Sequence, residues 1–224
     1  MYRRPITPPG EYRDLTQTAH GAYEDLRPRH RPVATSALVA LIVLAFLAQK
    51  LLPGLEEALA VGPEALRGEP WLIVTGALMH GNAVHLAANA YFGWKVGSHV
   101  ERSIGALRLL VITAVAMVGS GLAVALTVHR AVGFSGVLFG WLASWLAFHL
   151  TPRFPGLRLA GGQRTAYLQT VVLNVLISLV PGISWEGHLG GFVSGFAAAY
   201  LLGQGRAGER VRGETPAGQM SRGP

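Results

Sequence analysis

Apolar residues in this chain come in blocks long enough to cross a bilayer, and this constrains its fold more than any other feature. Roughly 20 apolar residues in helical form cover the ~30 Å hydrocarbon layer. No water is available there to satisfy the backbone, so a spanning segment must be a helix or part of a closed barrel. Six blocks read as helices: Val33–Leu52, His85–Ser103, Ile104–Val128, Ser135–Leu150, Ala166–Pro181 and Gly187–Gly203, the second being the weakest. The expected architecture is an all-α membrane protein, a single bundle of six transmembrane helices over 33–204. The polar, Gly/Pro-rich stretches 1–32 and 205–224 read as mobile tails, the second disordered. Half of the 224 residues are apolar and few are charged, which a soluble domain rarely matches.

The net charge of +7 reports topology rather than a nucleic-acid partner. Arg3, Arg4, Arg13, Arg27, Arg29 and Arg31 precede the first span. Arg102 and Arg108 follow the second, Arg153, Arg158 and Arg164 the fourth, and Arg206, Arg210 and Arg212 the sixth. The alternate connections carry Glu56, Glu57, Glu64, Glu69 and Glu186 against only Arg67 and Arg130. The positive-inside rule then puts both termini in the cytoplasm of a plasma membrane, expected to be prokaryotic. No cleavable signal peptide is expected, because the first apolar block starts only at Val33 and has the length of a full span. With no cysteine there can be neither a disulfide framework nor a thiolate metal site.

On this topology spans two, four and six all run from outside to inside, and each opens on chemistry. His85 and Asn89 stand at the head of span two. Ser135, in the run Gly133-Phe134-Ser135-Gly136, opens span four, and His188 opens span six. All therefore share the outer leaflet, within roughly 10 Å of a helix start at 1.5 Å per residue. An alcohol needs a base to act as a nucleophile near neutral pH, and imidazole is the usual one, so Ser135 and His188 form a candidate pair. Gly191 and Gly195 make a small-residue stripe that lets another helix approach span six closely. Attack on a carbonyl creates an oxyanion that needs donors aimed at it. Asn89 and His85 lie four apart on one helix face, and the Ser135 N–H sits in a first turn, where intrahelical acceptors are lacking. Taken singly, each residue has a plainer reading: a serine that packs, or a His85–Asn89 interhelical hydrogen bond. No acidic residue is placed to orient His188, so a dyad is expected rather than a triad. His80 and His85 are five apart and no HExxH motif exists, which argues against a metal hydrolase. Gly119, Ser120 and Gly121 read as packing residues, and Asn174 as a donor across helices. The segment from Pro53 to about Gly81 reads as lying partly in the outer leaflet, with Trp71 at headgroup level.

These residues, in this order, resemble the rhomboid family of intramembrane serine proteases, over about Glu69 to Gly203. His80, His85 and Asn89 look like its HxxxxHxxxN pattern, Gly97 to Glu101 like its second-helix end, Gly133 to Gly136 like its GxSG, and His188, Gly191 and Gly195 like its HxxGxxxG. The resemblance implies Ser135 as nucleophile and His188 as general base, with His85, Asn89 and the Ser135 amide as the oxyanion hole. His80, Gly133, Gly136, Gly191 and Gly195 would support the site. Phe139 falls where many relatives place a tyrosine stacked on the catalytic histidine. Trp71 matches the family's Trp-Arg pair, with Leu72 in place of the arginine. The family cleaves transmembrane segments of other membrane proteins near their outer ends and uses no cofactor. The partners implied are substrate helices and the lipid bilayer. One rival is a non-catalytic rhomboid-like protein that binds transmembrane helices for quality control. Another is a transporter, which would carry internal repeats, helices broken near the midplane and acidic relay residues.

Overall fold

The computed structural model of the protein describes residues 31–127, 129–151, 162–180 and 182–204, and the terminal tails lie outside them. Among the described residues the regular structure is helical: α1 (Val33–Leu51), α2 (Leu55–Leu59), a 3₁₀ turn (Pro63–Leu66), α3 (Leu72–Leu78), α4 (Ala83–Ile104), α5 (Ala106–Ala125), α6 (Ser135–His149), α7 (Gly162–Ser178) and α8 (Trp185–Gly203). The fold is all-α. Two of these helices, α1 and α5, are long and apolar enough by themselves to cross a membrane.

The central helix is α6. Its 15 residues are buried along almost their whole length, from Gly136 to Ser144 and again at Ala147 and Phe148. At 1.5 Å per residue it measures only ~22 Å, short for a span but sufficient for a helix sheathed by protein. It packs against α8, α5 and α4, and α8 also packs against α5. Trp141, fully buried, donates its indole N–H to Thr113 Oγ1 on α5 at 2.9 Å and meets Phe134 edge-on. Outward-facing positions are apolar as well: Leu44 and Leu47 on α1, Leu107 and Leu110 on α5, Leu173 and Leu176 on α7, Val193 and Leu201 on α8 are all exposed. A helix that is apolar all round lies in a protein core or spans a membrane, and here the outward apolar faces have no protein cover among the described residues.

The buried end of α1 is held by charge. Glu101 of α4 is 3% exposed and accepts from Ala34 N, Thr35 N and Thr35 Oγ1 at 2.9, 2.7 and 2.7 Å. A carboxylate on first-turn N–H groups satisfies donors that the helix leaves open and complements its dipole. The chain breaks between α4 and α5 at Gly105, where φ is +87°.

The connection between α1 and α4, expected to lie partly in the outer leaflet, is packed onto the bundle. Leu72, at the arginine position of the family pair, is completely buried with Val61, Ala65, Val124 and Ala125, while Trp71 is exposed. Val61 and Ala131 exchange both backbone hydrogen bonds, at 3.0 and 2.8 Å, and Arg130 meets Glu64 at 3.6 Å. This connection therefore braces the loop that leads into α6.

Candidate active site

Each polar side chain reaches the site through a local device. Asn82 caps α4 by accepting from His85 N at 2.8 Å, which sets where the helix starts and so where His85 points. Ser184 caps α8 by accepting from Gly187 N at 3.2 Å, one residue before His188. Ser135 opens α6 two residues after Gly133, whose φ of +126° favours glycine. A Cβ at Gly133 would also lie 2.6 Å from the His85 ring, so the loop and that imidazole are in direct contact. Gly133 N–H donates to the Gly76 carbonyl of α3 at 2.9 Å, tying the loop to the braced connection.

The helices carrying Ser135 and His188 touch backbone to backbone. A Cβ at Gly191 would collide with the Gly136 carbonyl oxygen, and one at Gly195 with the Gly140 backbone. Gly136 in turn abuts Ser120 and the Gly187 carbonyl. Gly119 faces Gly190 and Ser194, and Gly121 faces Ile73. This proximity leaves His188 Nε2 2.7 Å from Ser135 Oγ, 53 residues away in sequence. Phe139, one turn along α6, stacks on the imidazole with centroids 4.3 Å apart and planes 15° from parallel. His188 is buried and Ser135 half-buried.

One cavity of about 1020 Å³ is lined by Ser135, His188, His85, Asn89, Phe139, Gly133 and Gly136, and also by Glu57 and Glu186. Asn89 donates one amide hydrogen to the His85 carbonyl at 3.0 Å. That bond fixes the side chain along α4 and leaves its second N–H for another acceptor. His80 precedes α4 and is fully buried, with its ring edge-on to His85 at 5.2 Å. Gln49 of α1 clamps its backbone from both sides, accepting from His80 N and donating to His80 O, each at 2.8 Å. Burial, and then the neighbouring His85, pushes the His80 imidazole down to about 4, so it stays neutral near pH 7.

Other polar residues lie elsewhere. Lys95 is exposed on α4 with its ammonium over the Tyr91 ring at 5.2 Å, and Lys50 sits over Phe46 at 4.7 Å. His99 rests against Trp145, centroids 4.3 Å apart. Asn174 differs from its expected role: its amide donates to the Thr170 carbonyl one turn back on α7, at 2.8 Å, and not to another helix. An i−4 carbonyl is always within reach of a short polar side chain, and here it takes the bond.

Sequence reasoning missed Ser178. Its hydroxyl lies 2.6 Å from His188 Nδ1, the nitrogen that faces away from Ser135. The signal was present: on the expected topology Ser178 stands near the end of a span running from inside to outside, at the same depth as the heads of spans two, four and six.

The chain matches the family model described as the Rhomboid domain over residues 67–205. It is 32% identical over 187 residues to the "Rhomboid protease GluP" of Bacillus subtilis (strain 168), covering 80% of this chain and 36% of that protein. It is 28% identical over 142 residues to "RHOMBOID-like protein 5" of Arabidopsis thaliana, covering 60% and 45%. A Mycobacterium leprae (strain TN) protein is 33% identical over 142 residues, covering 59% and 56%. The chain thus spans about a third to rather more than half of the length of these relatives.

Proposed function

Because the chain belongs to the rhomboid family, we propose that it is an intramembrane serine endopeptidase cleaving transmembrane segments of other membrane proteins. The observation that carries this reading is the 2.7 Å contact between Ser135 Oγ and His188 Nε2, in a cavity shared with His85 and Asn89. Ser135 Oγ attacks the scissile carbonyl carbon while His188 Nε2 takes its proton. The tetrahedral oxyanion is met by the Ser135 N–H, the free Asn89 amide hydrogen and the His85 ring. Collapse expels the amine, which receives the proton from the imidazolium and leaves an ester on Ser135. Water, activated by the same imidazole, then releases the second product. The cavity's lining of carboxylates alongside Ser135 supports a route for that water. A substrate helix must first unwind locally, since its carbonyls are already satisfied by its own N–H groups.

The setting proposed is a prokaryotic plasma membrane. Six helices over 33–204 cross it, both tails are cytoplasmic and the cavity lies on the outer side. A fluorophosphonate probe tests the chemistry: labelling at Ser135 is expected in the wild type and lost in both Ser135→Ala and His188→Ala. Co-expression with tagged single-span proteins is expected to give cleavage that Ser135→Ala abolishes. Cleavage surviving that change would dismiss the nucleophile, and a protein that neither labels nor cleaves would be the non-catalytic helix binder.

A further inference from the structure

We propose that Ser178 is a positioning residue that holds His188 in the one tautomer able to accept the Ser135 proton; this rests on the serine-protease reading of the site. The argument is a count of hydrogens. Ser178 Oγ lies 2.8 Å from the Asn174 carbonyl and 2.6 Å from His188 Nδ1. A carbonyl can only accept, so the bond to Asn174 uses the single hydroxyl hydrogen of Ser178. Toward His188 the same oxygen must then accept, and Nδ1 carries the ring proton. A neutral imidazole has one such proton, which leaves Nε2 with its lone pair. That is the nitrogen 2.7 Å from Ser135 Oγ. The chain Ser135, His188, Ser178, Asn174 therefore donates in one direction throughout.

Two further observations give this arrangement its effect. Ser178 and His188 are 8% and 7% exposed, so water does not readily replace either partner, and a missing acceptor would leave a buried N–H unpaired. The stack with Phe139 confines the plane of the imidazole but is indifferent to which nitrogen is protonated. The ring plane is set by Phe139 and the proton by Ser178. When His188 takes the Ser135 proton it becomes an imidazolium, and its Nδ1–H bond to Ser178 becomes charge-assisted. A contact stronger in the transition state than in the ground state accelerates the chemical step rather than binding.

The experiment uses the full chain in proteoliposomes and a fluorophosphonate as probe. In Ser178→Ala the saturating rate of Ser135 labelling is expected to fall about tenfold, the effect of one such hydrogen bond, with the half-saturating probe concentration unchanged. Ser178→Thr, which keeps the hydroxyl, is expected to recover most of the rate. A wild-type rate in Ser178→Ala, or a loss confined to the half-saturating concentration, overturns the proposal. The tautomer is read separately by ¹⁵N NMR of the histidine-labelled wild type, with a protonated Nδ1 and a bare Nε2 expected at His188. The opposite assignment overturns the proposal even in a chain with no protease activity. The expected tautomer with no labelling of Ser135 overturns the protease reading instead.

Discussion

Asn89 shows how little of a side chain's role follows from its type. Its amide has two hydrogens, and one is bound to the carbonyl of His85 a turn earlier, which orients the group without consuming it. The second is the one proposed to meet the oxyanion. Asn89→Ala is expected to lower turnover of any cleaved single-span substrate by about 10²-fold, the scale for losing one oxyanion donor, with little change in KM. A small loss, or a loss in KM alone, would reduce Asn89 to packing. Leu72 makes the complementary point. Leu72, where the family resemblance implies an arginine, anchors its loop by apolar burial. Sequence could name both residues but could not say which hydrogen of Asn89 was free, or what Leu72 touched.

Among the elements, α6 and α8 matter most, because the distance between their axes sets the distance between Ser135 and His188. That spacing is set by absent side chains: at Gly191 even a methyl group would collide with the Gly136 carbonyl oxygen. Gly191→Ala must push α8 outward, and His188 lies one turn away on the same face. A displacement near 1 Å is expected to slow fluorophosphonate labelling about 10²-fold in protein that remains folded by thermal melting. Val193→Ala, on the exposed side of the same helix, is expected to leave labelling unchanged. Unimpaired labelling in Gly191→Ala would show that the helices can separate without parting the pair. The stripe of small residues was legible in the sequence, since spacing along one helix is a local property. Which residues of α6 meet it was not, because the pairing of faces depends on rotation about two axes. Asn174 was misjudged and Ser178 missed for the same reason: one bonds within its own helix, the other reaches across to His188.

For the molecule as a whole, the topology proposed from the arginine bias has both tails in the cytoplasm and the cavity on the outer side. The absence of cysteine makes this directly testable, because a single introduced thiol reports without background. Glu57→Cys, exposed beside the cavity, is expected to react with a membrane-impermeant maleimide in intact cells, and Ser221→Cys only after lysis. The reverse pattern would invert the topology and put the cavity on the cytoplasmic side. The segment joining α1 to α4 also belongs to this scale. Its burial against α5 and its backbone pairing with Ala131 brace the Gly133 loop from outside the helical bundle.

Hydropathy and charge are read one residue at a time along the chain. A bilayer turns that one-dimensional record into depth, so the sequence alone determined an all-helical membrane fold and grouped His85, Asn89, Ser135 and His188 toward one end of it. Depth says nothing about rotation, and rotation decides which atoms meet. Only the packed structure decided that His188 Nε2 faces Ser135 and that Nδ1 faces Ser178. Those outcomes depend on glycine contacts and capping bonds between segments far apart in sequence, and no local pattern encodes them.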